Sequence, residues 1–398
     1  MNNYLIKLIP VGKFFFGGDV TFSVGAKERP KNWNTLTKEE QAKVEKEIKD
    51  NNRYSSYIIK SEKFPQQTSL LGMLRFLLLR NNQDLFDIDK NKIKEGEAIK
   101  NEIEELIGKM GFTANKKDED GNSKENFFGV IKRVSSSFLM KGESVITRIP
   151  MDYGFEKVVL SGAKQLFYND NSVNLSKIVS GKNNNGDEIF YSAKNGIYTH
   201  YGDGKSIYAE DEIFIEDQRI GISRCIMTGK TQDNALFKQV NYRLADGFCF
   251  AFFVEIHKDI NNYSNQVVSV GADNSQFIIQ VLPAEFLQPI LPSSNVTTEG
   301  CYGKVVLTSP ALIDKEMIKK ADFAMAQTIP FRYMETTIDL KSYHRLSSGI
   351  SHSKKEFLFQ TGSVFYFRSS DSLYSFKVAL EKRKDFCQIG YNQYQIVQ

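Results

Sequence analysis

Residues 64–80 read FPQQTSLLGMLRFLLLR, one proline, two glutamines and two hydroxyl residues leading straight into a strongly apolar helix. Leu70, Leu71, Leu74, Leu77 and Leu78 cover more than one face of that helix. The spacing predicts an element packed on a sheet and covered again from outside. Gly72 costs roughly 1 kcal/mol against alanine in a helix interior, and its expected use is close contact with a neighbouring backbone. The first turn holds no Asp or Glu, the usual offset to the partial positive charge of a helix N-terminus. Water satisfies such an end in solvent; facing a site, it takes an anion, most commonly phosphate.

Working outward, Tyr4 to Pro10 alternates as a strand and runs into the aromatic, glycine-bearing loop VGKFFFGGD (11–19). Thr37 to Lys49 has the composition of a charged outer helix, Tyr57 to Lys60 that of a short strand, and Lys90 to Met110 that of a second charged helix. KKDEDGNSKEN (116–126) reads as a polar loop. From about Tyr153 strands dominate, with turn signals at Asn183–Asp187 and Lys194–Gly196. Phe248 to Ile256 (FCFAFFVEI) is nearly unbroken in its apolar run and reads as a buried strand. Later strands are expected at Gln276–Leu282, Gly303–Thr308, Ser363–Phe367 and Tyr394–Val397, with a helix over Ser372–Lys384. Strands and helices mix without βαβ alternation and without repeats, so the fold class is α+β rather than doubly wound.

The 398 residues are 41% hydrophobic and 25% charged, the composition of a soluble globular chain of two domains. No apolar run reaches the ~20 residues of a membrane span, and MNNYLIKLIP lacks the layout of a signal peptide. Cys225, Cys249, Cys301 and Cys387 are scattered, which gives no zinc spacing and no disulfide framework and points to a reducing cytoplasm. The net charge of +4 is uneven: residues 301–398 hold 14 Lys or Arg against 9 Asp or Glu. A basic surface there suits a polyanion.

Motifs for phosphate-loop, dinucleotide, zinc-protease and serine-hydrolase chemistry are missing, and His200, His257, His344 and His352 are isolated in sequence. Two segments read as nucleic-acid contacts. In Phe214–Leu244, two arms flank the polar tip Thr228–Asn234; Arg219, Arg224, Lys230, Lys238 and Arg243 interleave there with Ile222, Ile226, Met227 and Phe237. Cations that neutralise phosphates beside apolar groups that wedge against bases hold single strands without chemistry. Leu346–Lys355 (LSSGISHSKK) is a small, basic loop. Ordinary solvated surface is the alternative at both.

In order, FFFGGD, FPQQTSLLGMLR, DQRIGISR, ALFKQVNYRLADGFCFAFFVEI, GADNSQF, VVLTSPALID and FQTGSVFYF resemble the 5′-handle-binding RAMP subunit of type III-B (Cmr) CRISPR effector complexes. The likeness spans most of the chain outside the charged insertions near 25–55 and 84–126. It departs near the C-terminus, where Gln388-Ile389-Gly390-Tyr391-Asn392 supplies one glycine to a loop that is usually glycine-rich. The resemblance implies two ferredoxin-like (RRM-like) modules, expected at 1–260 and 261–398, and a protruding β-hairpin thumb near 214–244. It implies a non-catalytic subunit without cofactor or metal that holds the repeat-derived handle of a crRNA. Its partners would be the large palm-domain (cyclase/polymerase-like) subunit, the neighbouring backbone RAMP subunit and, indirectly, target RNA. Candidate RNA-binding residues are Phe16, Gly17, Gly18, Gln66, Gln67, Thr68, Ser69, Arg75, Arg219, Ile222, Arg224, Lys230, Ser351, His352, Lys354 and Lys355. Two competitors stand beside this reading: a crRNA-processing endoribonuclease using His352 with Ser351 and Lys354, and a protein-only assembly subunit.

Overall fold

The computed structural model describes residues 1–18, 21–22, 33–56, 58–87, 92–94, 96–108, 128–160, 173–177, 179–182, 188–190, 198–200, 207–224, 231–292, 296–336 and 350–398. The expected turns at 183–187 and 194–196 and the polar loop at 116–126 lie largely or wholly outside them. In β1 (Asn2–Pro10), Tyr4, Ile6 and Leu8 are buried on one face while Leu5, Lys7 and Ile9 are half-buried on the other, the period of a strand. Then come α1 (Lys38–Tyr54), β2 (Ile58–Lys60), α2 (Gln67–Arg80) and α3 (Glu97–Ile107). The polar α1 starts in a capping box, Thr37 Oγ1 accepting from the Glu40 amide while the Glu40 carboxylate accepts from the Thr37 amide.

The first half continues through β3 (Ile131–Val134), β4 (Phe138–Lys141), β5 (Ser144–Arg148), β6 (Phe155–Leu160), β7 (Phe214–Arg224), β8 (Thr231–Leu244), β9 (Phe248–Ile256), β10 (Val267–Ser269) and β11 (Gln276–Pro283). A nine-stranded sheet has the central order β4-β9-β1-β11, with β3 also on β9, and each of these pairings is antiparallel. Paired at both edges and covered on both faces, β9 reads as an unbroken apolar run for that reason. α2 packs into the main core with Ile6, Leu8, Phe250, Phe252 and Phe277. The opposite face buries Phe138, Met140, Cys249, Ala251 and Phe253, with Phe286 against them.

The expected cover on α2 is partial. It packs on the sheet and against α3, and Phe76 meets the Phe86 ring edge-on at 5.8 Å. Phe76 nevertheless stays exposed and, among the described residues, a Cβ added at Gly72 would meet nothing within 4 Å, so the close backbone contact expected at that glycine is not found. β11 pairs along β1 and carries the first sheet to Pro283.

The second half holds β12 (Gly303–Leu307), α4 (Lys315–Ile318), β13 (Phe323–Met325), β14 (Thr328–Phe331), β15 (Glu356–Phe359), β16 (Val364–Phe367), α5 (Ser370–Glu381) and β17 (Tyr394–Val397). Its sheet runs β13-β16-β12-β17, again antiparallel throughout. α5 begins at Ser369, whose hydroxyl accepts from the Ser372 amide, and it buries the expected side, Leu373, Phe376 and Leu380. β14 and β15 form a separate ribbon beside this sheet.

A buried cluster joins the halves. Lys304 on β12 lies 2.6 Å from Asp152, and the Tyr366 hydroxyl donates to the same carboxylate oxygen at 2.7 Å. Such a pair is tolerated in the interior only because each charge has its partner.

Candidate nucleic-acid interface

The N-terminus of α2 meets the other half of the chain. The Gln67 amide donates to the Tyr391 hydroxyl at 3.2 Å, so a phenol takes one of the amides that an acidic first turn would have addressed. Tyr391 is buried, which pushes its ionisation well above the ordinary tyrosine range and keeps it neutral. Its neighbour Gly390 has φ +87°, and a Cβ there would lie 2.4 Å from the Ser135 carbonyl carbon. The loop Gln388–Asn392 is therefore a clamp between halves, and its one glycine sits where two backbones nearly touch.

Beside this clamp opens a cavity of about 440 Å³, a ligand-sized volume. Phe138, Ile146, Ile329, Phe331, Leu358 and Tyr391 supply apolar wall; Gln67, Thr147 and Arg148 supply polar wall. Gln67 is 3% and Thr147 4% exposed, yet Gln67 Oε1, Thr147 Oγ1 and Arg148 Nε are buried with no hydrogen-bond partner among the described residues. Native interiors rarely leave such atoms unpaired.

The lining charges are settled unevenly. Lys60 pairs with Glu216 at 2.5 Å, which with a Tyr242 hydrogen bond holds the ammonium up to about 12, and Lys63 pairs with Glu210. Burial pushes the Glu62 carboxyl above the usual carboxylate range, against the opposing pull of Lys63. Arg148 bonds the neutral Gln360 amide oxygen at 3.0 Å, and no carboxylate pairs with it among the described residues. The cavity thus offers a guanidinium, a hydroxyl and an amide oxygen to one guest, a set that serves phosphate, ribose and base edges alike.

Of the candidate residues, Gln66 and Gln67 line this cavity and Thr68 and Ser69 follow half-buried in the first turn. Phe16 does not belong with them. Its ring is 2% exposed and stacks on Phe277 at 5.9 Å, with Phe14 and Phe250 around it, so FFFGGD turns its aromatic rings inward. Gly17 and Gly18 remain exposed. Arg75 is two turns along α2, its guanidinium 5.0 Å over the Phe128 ring and lowered by burial to about 10, away from the helix end.

β7 and β8 pair antiparallel, as the two arms predict. Lys230 lies outside the described residues with the first part of the tip, 228–230, while 231–234 open β8, and the side chains of Ile222 and Arg224 are not described. Arg219 is exposed but 3.8 Å from Asp273. Of LSSGISHSKK, 346–349 lie outside the described residues, and Ile350–His352 is a strand paired with Met334–Thr336 rather than the expected loop. Lys354 is exposed, and Lys355 lies 5.3 Å over the Phe357 ring.

Sequence reasoning missed Thr147, Arg148 and Tyr391. SVITR looks like any strand, and Tyr391 meets Gln67 across 324 residues, so no local signal marked either.

Fold and cavity together define a two-part, strand-rich α+β protein with an open polar site at the junction of its halves. The sequence of residues 199–398, half of the chain, matches the family described as CRISPR-associated protein (Cas_Cmr3). The chain belongs to that family, which bears out the resemblance to a Cmr-type RAMP subunit. No curated protein matches it. Similar solved chains occur in a cryo-EM structure of the type III-B Cmr-beta bound to cognate target RNA, at 13% identity over 99% of this chain and 96% of that one (TM-score 0.44). Another, with cognate target RNA and AMPPnP, stands at 12% identity, 99% and 96% coverage and a TM-score of 0.43. A crystal structure of the Csm3–Csm4 subcomplex of the type III-A interference complex stands at 10% identity, 91% and 92% coverage and a TM-score of 0.30. Among the described residues no helix is long and apolar enough to cross a membrane.

Proposed function

We propose that this chain is a non-catalytic, cytoplasmic RNA-binding subunit of a type III-B CRISPR ribonucleoprotein. In this reading it holds the 5′ handle of the crRNA and links the large palm-domain subunit to the backbone RAMP subunits. The observation that carries it is the junction cavity, where buried Gln67 Oε1, Thr147 Oγ1 and Arg148 Nε have no hydrogen-bond partner among the described residues. Family membership supplies the setting, and the first turn of α2 supplies a second ligand-facing wall.

The two sheets support the modular part of the reading. Numbering the principal strands of each half by sequence, both run 2-3-1-4 with antiparallel neighbours, as two ferredoxin-like modules require. The β7–β8 hairpin, inserted before the third strand of the first module, is its thumb.

Filter binding of handle RNA by the purified chain across a salt series tests the assignment. Arg148→Gln should weaken binding about tenfold, the scale of a hydrogen bond to a charged group. Thr147→Val keeps the shape of the wall and should lose less. Unchanged affinity in both variants would return the cavity to a purely structural role.

A further inference from the structure

A second pocket, of about 290 Å³, lies where the β7–β8 hairpin joins the body, walled by residues of the 11–15 loop, the hairpin root and the 273–276 loop. Asn241 stands in its wall at 1% exposure, and Asn241 Nδ2 has no hydrogen-bond partner among the described residues. The orientation of that amide is fixed, because Asn241 Oδ1 accepts from Gln239 Nε2 at 3.1 Å. The same Gln239 nitrogen donates to Asp273 Oδ2 at 3.1 Å. One nitrogen therefore holds an unsatisfied amide donor and a carboxylate side by side. Asp273 and Asn274 both adopt left-handed backbone, φ 54° and 52°, the tight bend that carries the carboxylate back toward the hairpin.

Charge decides what fits. Lys13 pairs with Asp217 just outside the pocket at 3.0 Å and Arg219 faces Asp273 in its wall at 3.8 Å, so each of the pocket's two cations already has a carboxylate beside it. A phosphate gains little from a balanced site. A neutral group with a hydrogen-bond acceptor next to an N–H donor complements the Asn241 amide and the Asp273 carboxylate together. In a chain that binds RNA, the group with that edge is a nucleobase outside a duplex.

We propose that this pocket receives one unpaired nucleobase of the bound RNA and reads its hydrogen-bonding edge through Asn241 and Asp273. The inference rests on the RNA-binding reading above and makes Arg219 a rim residue rather than a phosphate contact.

The test uses the full chain and handle RNAs that each carry one abasic position, titrated by filter binding at several salt concentrations. Asp273→Asn, in an exposed turn that tolerates asparagine, and Asn241→Ser, checked by thermal denaturation, should each weaken wild-type RNA about tenfold. The salt slope should stay unchanged, because no phosphate contact is lost. One abasic position should cost the wild type a similar factor and cost the variants nothing further. A slope flattened by ~0.7 would make the pocket a phosphate site and overturn the proposal. So would an Asp273→Asn variant that binds every RNA like the wild type, whether or not Asn241→Ser folds. Loss at Arg148→Gln with Asp273→Asn intact removes this pocket alone; a wild-type chain that binds no RNA removes both readings.

Discussion

Between the second and third strands of the N-terminal sheet, the chain runs from Lys141 to Phe248 and carries β5, β6 and the β7–β8 hairpin. Between the second and third strands of the C-terminal sheet it runs from Met325 to Val364 and carries β14 and β15. The first connection is much the longer, yet both leave the strand order untouched. That is physically reasonable, since each doubling of a loop adds only about 0.6 kcal/mol of closure entropy. The two connections also meet. Thr147 and Arg148 come from the first, Phe331, Leu358 and Gln360 from the second, and all line the junction cavity. Corresponding positions in two similar sheets thus provide the walls, and α2, which only the first sheet has in full length, provides the floor. β5 itself pairs with β4 and continues the first sheet beyond its four central strands, so the wall with Thr147 and Arg148 belongs to the scaffold and the wall from β14 and β15 is the addition.

If the halves are one cooperative unit, the buried pair between them should be the most sensitive point. Asp152 lies in the first sheet's long connection and Lys304 on the first strand of the second sheet. Lys304→Met strands a buried carboxylate and should cost about 3–5 kcal/mol in urea unfolding. Lys304→Met with Asp152→Leu removes both charges and should recover most of that loss. A single variant that melts only the C-terminal half, in two separate transitions, would break the picture of coupled halves.

The clamp is the next largest. Gly390→Ala forces a Cβ into the Ser135–Ser136 backbone at positive φ, so a loss of about 3 kcal/mol is expected from strain and overpacking together. Tyr391→Phe leaves the Gln67 amide without its phenol and should cost about 1 kcal/mol. Handle affinity should barely move in Tyr391→Phe, because the unpaired groups of the cavity are others. A large affinity change would mean that the RNA competes with the phenol for the helix end.

The same contrast shows what could be read from the sequence. β1, β9, α5 and the paired arms of the hairpin follow from local periodicity, because burial of one face leaves its mark every second or every third to fourth residue. The order of strands within each sheet leaves no such mark. In FFFGGD the composition gave the aromatic residues but not the side they face, and Phe14, Phe15 and Phe16 all point inward. The unacidic first turn of α2 did flag a real helix end at the cavity. Its partner is Tyr391, from the C-terminal loop where the chain departs from the glycine-rich pattern. Contacts between distant segments complete the site, and those a single sequence does not spell out.

The smallest effect concerns the outer side of α2, where one stripe stays open although α3 packs on the helix. Gly72 and Phe76 lie one turn apart on that side, Gly72 in open space and Phe76 46% exposed. With nothing to collide with, Gly72→Ala should stabilise the isolated chain by about 1 kcal/mol through helix propensity alone. Urea unfolding reads this directly. The variant also sharpens the comparison between scaffold and additions, since it lies on scaffold and away from the cavity. Handle binding should therefore match the wild type across the salt series. Destabilisation of the isolated chain would mean that some segment of its own covers α2. Stabilisation of the isolated chain together with weaker assembly into the ribonucleoprotein would show that a partner subunit covers Gly72, and that the glycine is kept open for it.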